Sequence, residues 1–175
     1  RGLLRTPAGR DLADRVSQST FAIASCGNAA LAAGVLARAA GFRLQVFVPT
    51  SAEPSIVERL RNLRAEVVVC PRRDDERGDP AYLRFREALA GWAVPFCVQG
   101  PDNGLSVEGG ATLAWEMCDA LGATTLDRVF VQVGGGALAS ATIRGLQSAL
   151  AERQASLPRV HAVQTAGGFP LARAY

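Results

Sequence analysis

The sequence predicts an α/β fold of open parallel sheets with flanking helices, and three observations predict it. Short apolar runs alternate with longer stretches of helical composition along most of the chain. The 18 glycines and 9 prolines are spread through the sequence, which suits many short connections. Two runs of small or polar residues, at 25–28 and 134–136, each stand between a strand and a helix, where ligands collect in parallel sheets. With 175 residues, 49% of them hydrophobic, the chain has material for one packed domain or two small lobes.

No element is assigned before residue 21. Residues 21–25 are a short apolar run closed by Gly27 and Asn28, and the alanine-rich stretch to residue 40 reads as a helix stopped by Gly41. A strand over 44–48 ends at Pro49, and Ile56, Val57, Leu60 and Leu63 recur at helical spacing within 55–64. Residues 66–70 form a third strand. The charged segment 71–80 reads as a solvated loop in which opposite charges lie close together. A helix over 81–91 leads to a strand over 94–99, and Pro101, Asp102, Asn103 and Gly104 mark a loop over 100–110. A helix over 108–121, a strand over 128–133, a helix over 137–152 and a strand over 160–163 complete the alternation. Strands separated by helices of this length pair in parallel through right-handed crossovers.

Composition removes several classes of function. All 19 basic residues are arginine, so no lysine amine of this sequence forms a Schiff base or serves a P-loop. The net charge of +3 is modest and no basic run is interleaved with aromatics, which argues against nucleic acid as a partner. No apolar stretch has the length of a membrane span. The four cysteines, at 26, 70, 97 and 118, are too irregularly spaced for a zinc pair or a CxxC site. Reduced thiols in a cytoplasm, and no metal, are the expectation. Arg1 stands where a methionine would open a protein, and Tyr175 follows an apolar run with no helix stop, so truncation is expected at both ends.

The run Gly134-Gly135-Gly136 lies between an apolar strand and the helix opened by Ala137, an arrangement that turns backbone N–H groups and a helix dipole onto one anion. Its plainer reading is a strand-to-helix turn made of glycine for close packing. Gly134, Gly136 and Ala139 also satisfy the dinucleotide fingerprint G-x-G-x-x-G/A, but no acid follows Glu152 to hold a ribose at the end of the next strand. An NAD(P)-binding oxidoreductase domain is therefore the alternative. Ser25, Cys26, Gly27 and Asn28 place a hydroxyl, a thiol and a carboxamide beside helix N-terminal amides, which suits a carboxylate or an oxygen-bearing ring, or simply a helix cap. His161, the only histidine, reads as a structural residue rather than a base for Cys26. Glu108 to Thr112 opens a helix, with Glu108 placed to complement its dipole and Thr112 expected to look inward.

The ordered series SCGN at 25–28, PTSAEPSIVERLRNLRAEVVV from residue 49, VEGGATLAWEM at 107–117, VGGGALAS at 133–140 and VHAVQTAGGFPLARA at 160–174 resembles the pyridoxal phosphate enzymes of the tryptophan synthase β-subunit fold type. Within them it is most similar to threonine synthase, then threonine dehydratase. The resemblance covers essentially the whole chain. It implies a two-lobed architecture, with 1–100 as part of a smaller mobile lobe, 101–175 as the start of a larger one, and the cofactor in the cleft between them. It implies that Asn28 meets the phenolic oxygen of the cofactor ring, that Ser25, Cys26 and Gly27 serve the substrate carboxylate, and that Gly134, Gly135, Gly136 and Ala137 hold the cofactor phosphate.

The implied reaction is elimination or replacement at the β or γ carbon of an amino acid, in a cytoplasmic assembly of identical subunits. The sequence departs from the family pattern in three places. The family lysine belongs to a K-x-R-G segment whose closing R-G resembles Arg1-Gly2, which places that lysine upstream and leaves no catalytic residue within the chain. Ala111 replaces the lysine of the E-G-x-K-T segment that falls on Glu108, Gly109 and Thr112. The partner of the pyridine nitrogen is expected after Tyr175. A non-catalytic relative that keeps the scaffold as a binding module is the further alternative.

Overall fold

The computed structural model describes residues 7–167 and 169–174. The chain divides into two compact units, Arg1–Cys97 and Val98–Tyr175. Arg1 and Gly2, which the sequence matched to the R-G of a lysine segment, lie outside the described residues.

The first unit carries α1 (Pro7–Gln18), β1 (Thr20–Ala24), α2 (Asn28–Ala40), β2 (Arg43–Pro49), α3 (Pro54–Asn62), β3 (Glu66–Cys70), α4 (Pro80–Gly91) and β4 (Ala93–Pro95). Its four strands form one sheet in the order β3-β2-β1-β4, every pair parallel. Ala22, Ile23 and Ala24 of β1 are all buried, the continuous apolar run expected of a central parallel strand covered on both faces. Small residues on α2 let it approach the sheet and α3 closely. Ala30, Ala33 and Ala37 are buried, and Gly34 faces the side chains of Leu60 and Leu63. Gly41 ends α2 in the left-handed conformation, φ 73°, and the N–H of Phe42 returns to Ala37 O at 2.8 Å, the paired closure of a Schellman turn.

Three differences from the sequence reading have physical causes. The sequence reading assigns no element at α1, whose only large apolar residues are Leu12 and Val16 beside the exposed Asp11, Asp14, Arg15 and Gln18. β4 stops at Pro95 rather than continuing to residue 99. Proline has no N–H for a ladder and is at home only on an edge strand, as here. Phe96 still donates its N–H to Ala22 O at 2.8 Å, and Cys97 then turns into the core.

The third concerns the charged segment 71–80, which is no simple solvated loop. Glu76 pairs with Arg84 of α4, and their side chains are only 10% and 13% exposed. The Arg73 N–H donates to Glu76 Oε2 at 3.3 Å, and Asp79 caps α4 by accepting from the Ala81 N–H at 2.9 Å.

The second unit carries α5 (Leu105–Leu121), β5 (Arg128–Gln132), α6 (Ala137–Glu152), β6 (Arg159–Val163) and α7 (Pro170–Ala174). β5 and β6 pair in parallel, Arg128 opposite Arg159 through Gln132 opposite Val163. Val129 and Val131 turn into a core with Ala114, Cys118 and Leu146, while Phe130 on the opposite face is 66% exposed. α5 begins three residues earlier than residue 108, because the Ser106 and Val107 N–H groups already return to Asn103 O and Gly104 O. A Cβ built on Gly110 would lie 2.7 Å from Ala141 Cβ, and one on Gly145 would lie 2.6 Å from Ala111 O, so the two helices touch backbone to backbone. Trp115 donates to Ser148 Oγ at 3.0 Å, and Arg153 donates to Cys118 O at 2.6 Å and Gly122 O at 3.0 Å. These pairs advance together along both helices, so α5 and α6 run in the same direction.

Candidate active site

In the first unit, strand order reverses at β1. The chain steps from β1 to β2 to β3 in one direction and then crosses to β4 on the other side of β1. Such a reversal opens a crevice at the carboxyl ends of the strands. Ser25, Cys26, Gly27 and Asn28 occupy that end of β1. The Ser25 N–H prolongs the ladder to Phe47 O at 3.2 Å, and Ser25 Oγ accepts from the Gly27 N–H at 3.4 Å. The cap reading does not hold. Gly27 is the N-cap of α2 and no side chain caps it, while Asn28 is the first helical residue and is exposed. The first helical N–H to find its acceptor is that of Leu31, on Gly27 O at 3.2 Å. The N–H groups of residues 28–30 therefore project beyond the helix beside the free Asn28 carboxamide. Cys26 is a free, exposed thiol.

In the second unit, Gly134, Gly135, Gly136 and Ala137 follow β5 and open α6. Gly136 caps the helix with φ 91°, a left-handed conformation that side chains resist by roughly 1–2 kcal/mol. A Cβ at Gly135 or Gly136 would meet nothing within 4 Å, and one at Gly134 would meet only Gln132 Nε2, at an ordinary 3.8 Å, so the run is not pressed against a packed neighbour. That disfavours the plainer reading of glycine chosen for close packing. The helical ladder starts with the Ser140 N–H on Gly136 O at 2.9 Å. Among the described residues, no backbone acceptor closes on the N–H groups of 134–139. Since α5 runs parallel to α6, both helices direct the positive ends of their dipoles toward this turn. Unclosed backbone N–H groups at a helix N-terminus are donors of the kind that suit an anion such as a phosphate.

The segment Glu108 to Thr112 is on the first two turns of α5. Glu108, Gly109 and Thr112 are exposed. Thr112 does not look inward, because its hydroxyl donates to Gly109 O at 2.8 Å along its own helix. Ala111 is the inward residue, 8% exposed and packed against Gly145. Where the resembling motif has a lysine, this chain has a helix contact.

His161 stacks on Phe130, ring centroids 4.7 Å apart, and its Nε2 is 3.2 Å from Arg128 Nη1. A guanidinium only donates, so Nε2 accepts and the ring is held in a structural pair. Gln164, where a dinucleotide site would want an acid, donates instead from Nε2 to Val133 O at 3.1 Å. That contact escaped the sequence reading, since only the pairing of β5 with β6 makes the two residues neighbours.

Residues 4–175 match the family model described as "Pyridoxal-phosphate dependent enzyme". The biosynthetic L-threonine dehydratase IlvA of Haemophilus influenzae is 32% identical over 117 residues, covering 67% of this chain and 21% of that protein. The human L-serine dehydratase/L-threonine deaminase is 32% identical over 133 residues, covering 73% and 37%. The chain thus spans well under half the length of these curated relatives. Among solved structures, O-ureido-L-serine synthase superposes with a TM-score of 0.70 at 21% identity, covering 89% of this chain and 47% of that one. The processed threonine deaminase isoform 2 of Solanum lycopersicum gives 0.68 at 18%, covering 88% and 41%. At such identities these structures show the fold, of parallel sheets and flanking helices. With the family model matching nearly the whole of these 175 residues, the chain belongs to the pyridoxal phosphate-dependent enzymes.

Proposed function

We propose that this chain is the cofactor- and substrate-holding portion of an enzyme that eliminates or replaces a substituent at the β or γ carbon of a small amino acid. The observation that carries the reading is the glycine run at the end of β5, open, side-chain-free and backed by the N-terminus of α6. Gly134, Gly135, Gly136 and Ala137 hold the cofactor phosphate through backbone N–H groups. Asn28 donates to the ring's phenolic oxygen, and Ser25, Cys26 and Gly27 bind the substrate carboxylate with the first amides of α2. When bound, pyridoxal phosphate supplies an electron sink for the Cα–H bond. The residues named here orient ring and substrate so that this bond is the one that yields. No lysine is present among the 175 residues, so this sequence contributes no covalent anchor to the cofactor.

The two dehydratases at 32% identity favour an elimination of the serine or threonine type. Ala111, buried against α6, gives no cation for a phosphate-bearing substrate and weighs against a threonine synthase reaction. The alternative of an NAD(P) oxidoreductase is not favoured, given the family match and Gln164 in place of the ribose acid. Four free cysteines support a cytoplasmic setting, and a homo-oligomer is the assembly that the family resemblance suggests.

The test is Gly135→Asp. Gly135 has no positive φ and no neighbour within 4 Å of a Cβ, so aspartate fits and brings a carboxylate to the cradle. Like charges set against each other cost several kcal/mol, so pyridoxal phosphate affinity, read by absorbance titration, should fall at least about tenfold with the circular dichroism unchanged. Unchanged affinity, or tighter binding of NAD than of pyridoxal phosphate by the parent chain, would overturn the reading.

A further inference from the structure

Among the described residues, three other features stand outside the candidate site. A cavity of about 550 Å³ lies between the carboxyl ends of α5 and α6, but its one cation, Arg153, is already engaged by Cys118 O, Gly122 O and Asp119. The outer face of β5 and β6 exposes Phe130 and Val163, with nothing in the structure to say what covers it. Cys26 is an isolated thiol. Gln164 carries more.

The residue before the glycine run, Val133, has one backbone group held by β6 and the other by the residue that follows β6. Its N–H donates to Val163 O at 2.8 Å, and its carbonyl accepts from Gln164 Nε2 at 3.1 Å. Gln164 Oε1 in turn accepts from the Ala172 N–H at 3.2 Å, so the carboxamide is fixed at both ends. The peptide joining Val133 to Gly134 is thus the last one tied down before the cradle. On the far side, Gly136 O is fixed by the Ser140 N–H at 2.9 Å. Between these two anchors the glycine N–H groups have no internal partner among the described residues and depend on the anchors for their direction. A hydrogen bond to a carbonyl fixes the plane of its peptide, and with it the N–H of the next residue. Here that is the N–H of Gly134.

We propose that Gln164 is a positioning residue for the phosphate cradle, acting through the Val133 carbonyl to aim the Gly134 N–H. The proposal rests on the assignment of the glycine run to the cofactor phosphate. The role assigned to Gln164 runs through the Val133 carbonyl alone. Gln164→Glu keeps the size and the acceptor for Ala172 but removes the donor, and it turns a carboxylate oxygen toward the Val133 carbonyl.

The experiment compares the affinities of pyridoxal phosphate and of pyridoxal, which lacks the phosphate, in the protein and in Gln164→Glu. One well-aimed hydrogen bond corresponds to about a five- to tenfold preference, so the ratio should shrink by that factor through weaker pyridoxal phosphate binding while pyridoxal binding stays put. Gln164→Met, which removes donor and acceptor at similar length, should give the same narrowing and serves if the glutamate variant fails to fold. A ratio preserved in both variants, or an equal loss for both ligands, overturns the positioning role while leaving the phosphate site intact. Equal affinity for the two ligands in the unmodified protein overturns the phosphate assignment, and this proposal with it.

Discussion

Glu76 shows how a single residue in a charged run escapes the usual solvated fate. Burial by itself would push its carboxyl up, but the Arg73 N–H and the Arg84 guanidinium outweigh that and hold it below the ordinary carboxylate range. Nearby, burial pushes the Cys70 thiol up, against a hydrogen bond from the Val48 backbone and the field of Arg84, so it stays protonated and unreactive. A carboxyl lowered in the folded state adds stability above its unfolded pKa, about 4.3, and loses it as pH falls through the folded value. Thermal unfolding followed from pH 6 down to pH 3 should therefore show a steeper loss for the parent protein than for Glu76→Gln. Parallel curves would mean that the pair with Arg84 adds nothing. The sequence displayed every charge of this cluster but not the pairing, because Glu76 and Arg84 meet only once the loop folds back on α4.

The tightest joint between elements is that of α5 with α6. Small residues at Gly110, Ala111, Ala114, Ala141 and Gly145 bring the helices together until a methyl at Gly145 would strike Ala111 O at 2.6 Å and Ala114 Cβ at 2.7 Å. Backbone oxygen yields less readily than the end of a side chain. Gly145→Ala should therefore destabilise the protein by about 1–3 kcal/mol in urea titration despite the better helix propensity of alanine. A stabilised variant would show that the helices can part at little cost. The same joint governs the candidate site, since it sets α5 and α6 parallel with their N-termini at the glycine run. The helices themselves were legible in the sequence from composition and stop signals. Their contact was not, because alanine and glycine enrichment says helix without saying against what it packs. β4 illustrates the converse, a strand read too long because apolar residues 96–98 look like strand whether or not a ladder is available to them.

Across the molecule the two units differ in how much apolar core supports each sheet. In the first, α2, α3 and α4 pack on four parallel strands, with Ile23, Val46, Val48, Leu60 and Phe85 almost wholly buried. In the second, two strands rest on one layer of helices, and the outer face of β5 leaves Phe130 uncovered. Opening free energy follows buried apolar contact, so amide exchange should be slowest in β1 and β2 and faster by at least about tenfold in β5 and β6. Equal protection in the two sheets would contradict this ordering. Addition of pyridoxal phosphate should slow exchange at 134–140 if the cradle is its site.

Read alone, the sequence determined the alternation of strand and helix, the parallel sense of the sheets, and the two loops at 25–28 and 134–136, because period, composition and glycine chemistry are local properties of the chain. Motif order also sufficed to indicate the family that the comparisons then showed. Tertiary structure alone decided that Asn28 is the first residue of its helix rather than a cap, that Ala111 faces α6, and that Gln164 holds the carbonyl before the glycine run. Each of these depends on which elements lie side by side. That is settled by strand register and helix packing between residues far apart in the chain, and no local pattern records it.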